Sequence, residues 1–213
     1  MCIRDSHNGA DAGAVAWESW LAGSLLRRAL LGVVVVPGLA TAPMALPVLP
    51  PDRLVRYARA LGLAPSATAT ERGAQGVLPQ YFADMFGWRE MAAQVAAVYQ
   101  ALPPEERARA VFFGRNYGEA AALDVYGPSL RGPPAISGHN AYHVWGPKGF
   151  DGSVVIMVGG AQTRLAQMYD DVHIAGRIDS PYAMPAETAV SILVLRAPRA
   201  SLSEIWPTLK HFD

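Results

Sequence analysis

The strongest hydrophobic pattern in the chain is an uncharged run, ALLGVVVVPGLATAPMALPVL, at residues 29–49. A helix needs about 20 predominantly apolar residues to cross a bilayer. The run therefore predicts a transmembrane helix, within a region that we place at residues 9–50. Its three prolines are tolerated better in a membrane helix, where neighbours satisfy the freed carbonyls, than in a soluble one. The alternative interpretation is a buried hairpin of a soluble protein.

The charges around this run predict its orientation. Arg27 and Arg28 stand directly before it, and basic residues favour the cytoplasmic side of a membrane. Three further arginines follow closely after residue 50 and reduce the asymmetry. We expect a location in the cell inner membrane, contact with membrane lipid, and an extracytoplasmic domain over residues 51–213.

Two helices with an apolar stripe are predicted after the uncharged run. The segment PPDRLVRYARALGL starts with prolines and Asp52, which favour a helix start, and has a stripe typical of an amphipathic helix at a membrane surface. Small and polar residues at 64–76 predict a linker. A second helical period follows and ends before Pro103; its apolar residues are Trp88, Met91, Val95, Val98 and Leu102.

From residue 110 onward the pattern changes to short apolar runs separated by helix-like segments. Runs of strand length lie at 110–114, 153–160 and 189–196. Helices are predicted between and after them, in GEAAALDVYG, AQTRLAQMYDDV and SLSEIWPTLKHF. Because the apolar runs are continuous rather than alternating, the predicted fold class is a small α/β layer domain with a mostly parallel sheet covered on both faces.

Composition excludes some classes of function. The 18 basic residues balance the 18 acidic residues, and no basic run occurs, so no nucleic-acid partner is expected. The one cysteine excludes an internal disulfide. Walker A, HExxH, GxSxG and CxxC motifs are absent from the sequence. Residues 1–8 have no pattern of a secretory signal and are interpreted as an irregular, non-native start.

The segment FFGRNYGEAAALD predicts a strand, a turn and a helix. Asn116, Tyr117 and Glu119 would then lie at the carboxyl end of the first strand, where open α/β sheets bind ligands. Asn116 and Glu119 also suit a helix start, as a cap and as a first-turn acid. Capping and ligand binding remain open at these positions. The glycines do not form a GxGxxG fingerprint, so a dinucleotide site is not predicted.

The segment PPAISGHNAYHVWGP holds a second group of candidate ligand-binding residues: Ser137, His139, Asn140 and Trp145. His139 and His143 are four apart, a spacing that suits a metal pair on a helix. The segment is rich in turn residues, however, and no third ligand is spaced recognisably, so no metal site is predicted. His139 and Asn140 suit hydrogen bonding within the loop or to a polar ligand, and Trp145 suits packing or stacking on a sugar ring.

Two other polar groups are weaker candidates. Asp170, Asp171 and His173 lie close together in the sequence, but adjacent carboxylates at a predicted helix end are more often a solvated face than a metal site. His211, near the end of the chain, has no evident partner in the sequence.

Five segments carry a resemblance to a known family: LPQYFADMFGW, NYGEAAALDVYG, PPAISGHNAYHVWGP, YAMPAET and WPTLKHF. From about residue 20 the chain resembles the C-terminal region of bacterial membrane glycosyltransferases of family 39, the protein-mannosyltransferase-like GT-C type. Two departures stand out. Family members tend to have a Cys-x-x-Cys pair where this chain has Ser180 and Ala183, and a bulky aromatic residue where it has His143.

The resemblance implies a function and several partners. Such enzymes use a polyprenyl-phosphate-linked sugar as donor, and their catalytic acidic residue lies near the N-terminus, in a portion that this chain is expected to lack. The resemblance thus implies a fragment that is not catalytic alone, whose missing N-terminal membrane portion is its partner. It implies no cofactor in this fragment and allows a divalent metal in the full-length enzyme. The alternative is a membrane-anchored, non-catalytic binding domain.

Overall fold

A computed structural model describes residues 25–63 and 76–212 of the chain. The chain divides into two compact units, with the boundary between Gly62 and Leu63. The predicted irregular start, the first part of the predicted membrane region and all but the last residue of the predicted linker at 64–76 lie outside the described residues.

The first unit contains the uncharged run, which forms one helix rather than a hairpin. This helix, α1 (Leu25–Ala45), includes Pro37 and Pro43. Its section Arg27–Ala45 is long and apolar enough to cross a membrane, and it is the one such helix among the described residues. Several of its apolar side chains are largely exposed, including Val34 at 71% and Leu39 at 70%. Membrane spans and signal sequences share this length and composition.

A short second helix, α2 (Pro51–Ala60), completes the first unit. The prediction of a helix here is confirmed, although its start is set by the prolines rather than by Asp52. Pro50 occupies the cap position and Pro51 the first turn, where a proline loses no hydrogen bond. Asp52 instead pairs with Arg56 one turn later, at 3.2 Å.

The second unit alternates helices and strands, and begins with three helices. These are α3 (Gln80–Ala83), α4 (Trp88–Ala101) and α5 (Pro104–Arg107). The longer elements that follow are β1 (Ala110–Gly114), α6 (Tyr117–Leu130), β2 (Ala135–Ser137), α7 (Asn140–Trp145), β3 (Val154–Val158), α8 (Gln162–Leu165), β4 (Tyr169–Ile178) and β5 (Val190–Pro198). The described chain ends with α9 (Leu202–Ile205) and a 3₁₀ helix (Trp206–Leu209).

The strands form one five-stranded sheet in the order β2-β1-β3-β5-β4. β1 pairs with β2 and β3 in parallel, whereas β5 pairs with β3 and β4 in antiparallel orientation. The α/β class is confirmed, and the sheet is mixed, with its parallel part around β1. β5 runs antiparallel because β4 returns directly into it, without the crossover helix that a parallel pair requires.

Two strands were missed by the hydrophobic pattern. The helix predicted over AQTRLAQMYDDV is wrong beyond its first turn, because Tyr169 already begins β4. β4 is an edge strand, so most of its side chains are exposed and the strand has no continuous apolar run. β2 has three residues, all buried, inside a segment whose glycines and prolines indicated a loop.

The sheet separates two cores. On its first face, α4 and α6 pack against strand residues that include Phe112, Val154 and Ile156. The stripe predicted for α4 is confirmed, with Met91 and Val95 buried there. The second face is packed against shorter segments, which include α8, α9 and the 3₁₀ helix. Their buried contributions are mainly Leu165, Leu202 and Trp206.

Candidate functional site

The carboxyl ends of the parallel strands define the candidate site. β1 lies between β2 and β3, and the chain leaves β1 toward β2 but leaves β3 toward the opposite side of the sheet. Ligands of open α/β sheets bind at such a reversal of strand order. Six of the seven candidates from the sequence lie at or just after the ends of β1 and β2: Asn116, Tyr117, Glu119, Ser137, His139 and Asn140.

Asn116 and Glu119 form the start of α6. Asn116 has an extended backbone, with φ −131°, and its side-chain Oδ1 accepts a hydrogen bond from the Glu119 backbone N–H at 2.8 Å. The predicted capping role of Asn116 is therefore confirmed. Its carboxamide oxygen satisfies a backbone donor that the first helical turn would leave unpaired.

Glu119 is buried, with only 2% of its surface exposed. Its carboxylate accepts hydrogen bonds from the Arg115 backbone N–H at 2.7 Å and from the Arg115 guanidinium at 2.9 Å. Burial raises the pKa of Glu119, and the charge and hydrogen bonds of Arg115 oppose that rise without cancelling it. The carboxylate is thus held by its own turn, and both of its oxygens already have a donor.

His139 connects this turn to the loop after β2. Its backbone N–H donates to the Ser137 hydroxyl at 3.1 Å, and its Nδ1 accepts from the Tyr117 backbone N–H at 3.3 Å. The Tyr117 ring lies 5.1 Å from the His139 ring, centre to centre. Ser137 and His139 are both buried, so this junction between α6 and β2 is closed to bulk water.

The end of the chain closes the same junction from the other side. His211 stacks on His139, with ring centres 4.7 Å apart and planes 19° apart. Its backbone N–H donates to the Gly138 carbonyl, and its own carbonyl accepts from the Asn140 N–H, both at 3.2 Å. The His211 Nε2 lies 2.9 Å from the Arg115 carbonyl oxygen. His211, which had no evident partner in the sequence, is therefore a central member of the network.

Asn140 and Trp145 stand at opposite ends of α7. Asn140 begins the helix with a left-handed backbone, φ 51°, a conformation that asparagine tolerates well. Trp145 is 58% exposed and packs against the ring of Tyr142 at 4.7 Å. Burial and a hydrogen bond to Asp124 raise the pKa of Tyr142. Trp145 therefore packs against its own helix.

The histidine pair does not share a partner. His139 faces His211, whereas His143 stacks on Trp206 with ring centres 5.6 Å apart. The Trp206 indole N–H donates to the His143 carbonyl at 3.0 Å. Among the residues that the structure describes, no group of three His, Cys, Asp or Glu side chains is placed to hold a metal ion.

The weaker acidic candidates lie on strand β4 rather than at a helix end. Asp170 pairs with Arg199 at 2.9 Å, and Asp171 pairs with Arg196 at 3.3 Å. Both acids occupy an edge of the sheet and are exposed, which agrees with a solvated face.

The structure therefore brings six of the seven candidate residues into one contact network: Asn116, Tyr117, Glu119, Ser137, His139 and, through its backbone, Asn140. Space beside this network is narrow. Glu119 borders a cavity of about 10 Å³ together with Gly87, Trp88 and Val158, which is the room that one water molecule needs. The network is a closed junction whose hydrogen bonds lie within the fold, although the buried Nε of Arg115 has no hydrogen-bond partner among the described residues.

Sequence reasoning missed two members of the network. Arg115 had a usable signal, because it directly follows the strand and lies four residues before Glu119, the spacing of a helical ion pair. His211 had none, because it reaches the junction by a contact over nearly a hundred residues. A comparison with family models, with curated proteins and with solved structures found no match to this chain.

Proposed function

We propose that this chain is the C-terminal part of an integral-membrane glycosyltransferase that uses a polyprenyl-phosphate-linked sugar. In this proposal α1 crosses the cell inner membrane, and the second unit is an extracytoplasmic domain that assists the binding of acceptor or donor. The catalytic acidic residue and the remaining membrane helices belong to a portion outside this sequence, which is the main partner of the chain.

One observation supports this proposal beyond the resemblance of the motifs themselves. Three of the resembling segments, distant from one another in the chain, meet at the junction between β1, β2 and the C-terminus. NYGE supplies Asn116 and Glu119, SGHN supplies His139, and LKHF supplies His211. Residues that carry a resemblance and also meet in space belong to one functional or structural unit of the domain.

The chemistry of the junction favours an assisting role over a catalytic one. Glu119 is bound by Arg115 through two hydrogen bonds, and general acid–base catalysis requires a carboxylate that reaches the substrate. Tyr117 of the network and Trp145 at the far end of α7 are both exposed and offer aromatic faces of the kind that pack on sugar rings. We therefore propose that these aromatic rings bind the sugar and that the membrane portion supplies the catalytic groups.

The second candidate function is a membrane-anchored binding domain without any catalytic partner. The observation that favours it is the engagement of Asn116, Glu119 and His139 within the fold, because a domain of this kind needs no reactive group. The two candidates differ in activity: the complete polypeptide transfers sugar from the donor in the first and does not in the second.

The test compares the polypeptide of the complete gene with the present chain, each reconstituted in vesicles with a polyprenyl-phosphate sugar. We expect transfer by the complete polypeptide and none by this chain alone. Replacing Tyr117 or Trp145 by alanine in the complete enzyme is expected to lower transfer while the fold is retained. Transfer by the present chain would contradict the proposal, and a complete polypeptide without activity would favour the binding domain.

A second experiment tests the membrane assignment by itself. The full chain and a truncated form that starts at Leu63 are expressed and separated into membrane and soluble fractions. Because α2 belongs to the same compact unit as α1, the cut is placed after Gly62 rather than after residue 50. We expect the full chain in the membrane fraction and the truncated form in the soluble fraction. Equal distribution of the two forms would contradict a spanning α1.

A further inference from the structure

The second face of the sheet carries a cavity that the proposed function does not use. It has a volume of about 210 Å³ and lies between the strands and their short covering segments. Val155 and Leu195 form its floor, and Leu165, Leu202 and Ile205 form its opposite wall. A smaller apolar cavity, of about 150 Å³, suffices to bind benzene in an engineered protein. The cavity therefore has room for a short stretch of apolar chain.

The walls of this cavity can adapt to an occupant. Met157 and Met168 both line it, and methionine side chains are unbranched and fill irregular spaces readily. The covering helices α8 and α9 have only four residues each, so each covers the sheet with about one turn of side chains. A chain that entered would gain burial against side chains that already face away from water.

One positive charge lies among the lining residues. Arg164 of α8 borders the cavity and is exposed to solvent. In residues 25–63 and 76–212, the ion pairs involve other arginines and leave Arg164 out. Burial raises the pKa of Tyr169, which also lines the cavity, to about 12, so its hydroxyl is neutral at physiological pH. Arg164 is thus the one charged side chain among the described residues that line the cavity.

We propose that this cavity binds a free single-chain amphiphile with an anionic head, such as an alkyl carboxylate, with the chain inside and the head on Arg164. A guanidinium pairs with a carboxylate through two parallel hydrogen bonds. The floor residues Val155 and Leu195 are 2% and 1% exposed, so a flat bilayer surface cannot contact them. The proposal is independent of the glycosyltransferase assignment, since none of the described residues that line the cavity belongs to the network around His139.

The experiment uses the full chain in lipid nanodiscs and a decanoate analogue that carries a photoreactive diazirine at the end of its alkyl chain. After illumination, labelled peptides are identified by mass spectrometry, with and without excess decanoate. We expect labelling that decanoate suppresses on the peptides that contain Met157, Leu165 and Leu195. Labelling that decanoate does not suppress, or that is confined to α1, would mean partition into lipid and would overturn the proposal.

Two sets of variants test the cavity and its charge separately. Leu165→Trp and Ile205→Trp place a larger side chain in the cavity and should reduce suppressible labelling at least fivefold. Arg164→Gln should reduce labelling by the carboxylate about two- to fivefold, the effect of an exposed ion pair. The same variant should leave labelling by the neutral decanol analogue unchanged. Arg177→Gln, on the exposed edge strand, is the matched control and should change neither.

The variants test the role of Arg164 and the location of the binding site separately. Equal labelling of Arg164→Gln and the unaltered chain by the carboxylate would overturn the role of Arg164. Unchanged labelling of both tryptophan variants, with circular dichroism showing that they fold, would overturn the cavity as the site. Should both variants fail to fold, the suppression by decanoate and the positions of the labelled peptides in the unaltered chain still decide the proposal.

Discussion

The two faces of the sheet are built from the same strands but are covered in different ways. On the first face, two helices of 14 residues each, α4 and α6, lie over the strands. On the second face the cover includes one-turn helices and a 3₁₀ segment, and a cavity of about 210 Å³ remains. Long helices present several turns of side chains to a sheet, whereas isolated turns present one or two each. Because the short segments cover the second face less completely than long helices would, a cavity is left between them and the sheet.

The difference also concerns how each cover is fixed. The first-face helices are held by continuous burial along their stripes. The second-face cover is held at its end, where the C-terminal segment bonds to the loop after β2 through Gly138 and Asn140. The junction around His139 therefore has a structural task, because it fastens the cover of the second face to the carboxyl ends of the strands.

The largest expected effect on stability comes from replacing one equally buried leucine on each face by alanine. Leu123 of the first face and Leu195 of the second are both 1% exposed. We expect Leu123→Ala to cost about 4 kcal/mol of unfolding free energy. Leu195→Ala should cost about 1 kcal/mol less, because Leu195 already borders a void and has fewer contacts to lose. Urea unfolding of residues 63–213 measures both. Equal costs would show that the second face is packed as tightly as the first.

The next effect concerns the fastening of the second-face cover. A Cβ added to Gly138 would lie 2.2 Å from the Leu209 carbonyl oxygen, a backbone atom that cannot swing aside as a side chain would. We expect Gly138→Ala to cost about 3 kcal/mol, as a severe steric conflict in a packed region. Hydrogen exchange should show loss of protection in residues 202–212 before the first face is affected. Gly127→Ala serves as the control, since its added Cβ would meet neighbouring atoms only at ordinary contact distances of 3.7 and 3.9 Å.

The first-face side also has a pH-sensitive contact, between Glu106 of α5 and Arg196 of β5. Their two hydrogen bonds measure 2.8 and 2.9 Å. The hydrogen bonds from Arg196 lower the pKa of Glu106. In the unfolded chain this carboxyl titrates at its ordinary, higher pKa. The pair therefore stabilises the fold fully above the ordinary carboxyl range, and this contribution is lost as the pH falls through the lowered pKa.

We expect Glu106→Gln to cost about 1.5 kcal/mol at pH 7, because the pair is only partly buried. The difference from the unaltered chain should shrink toward zero as unfolding is measured at progressively more acidic pH. Asp170→Asn removes the exposed pair with Arg199 and is expected to change stability little at any pH. A difference for Glu106→Gln that is constant with pH would contradict the electrostatic origin of the effect.

The sequence predicted the parts of the fold that repeat a pattern. The stripe of α4, the strands at β1, β3 and β5, and the cap of α6 by Asn116 follow from local periodicity and side-chain chemistry. β4 was not predictable in this way, because an edge strand has exposed side chains and gains its order from pairing with β5. The candidate site also has a part that local sequence predicts and a part that it does not. Asn116 and Glu119 were visible as neighbours, but the contact of His211 with His139 depends on the whole topology.

The smallest expected effect on stability comes from enlarging two neighbouring valines of β3, one on each face of the sheet. Val154 packs in the first core and Val155 in the second, because successive side chains of a strand point to opposite faces. Val154→Ile adds a methyl group to a close-packed region and should cost about 1 kcal/mol. Val155→Ile adds the same group beside the cavity and should stabilise the fold by about 0.5 kcal/mol. The two variants share strand position, propensity and chemistry, so the difference in their unfolding free energies reports the free space on each face.

Changes in unfolding free energy of opposite sign would support the second-face cavity as real space for a ligand. Equal destabilisation would indicate that the cover already closes onto the sheet, and the amphiphile should then compete poorly for the site.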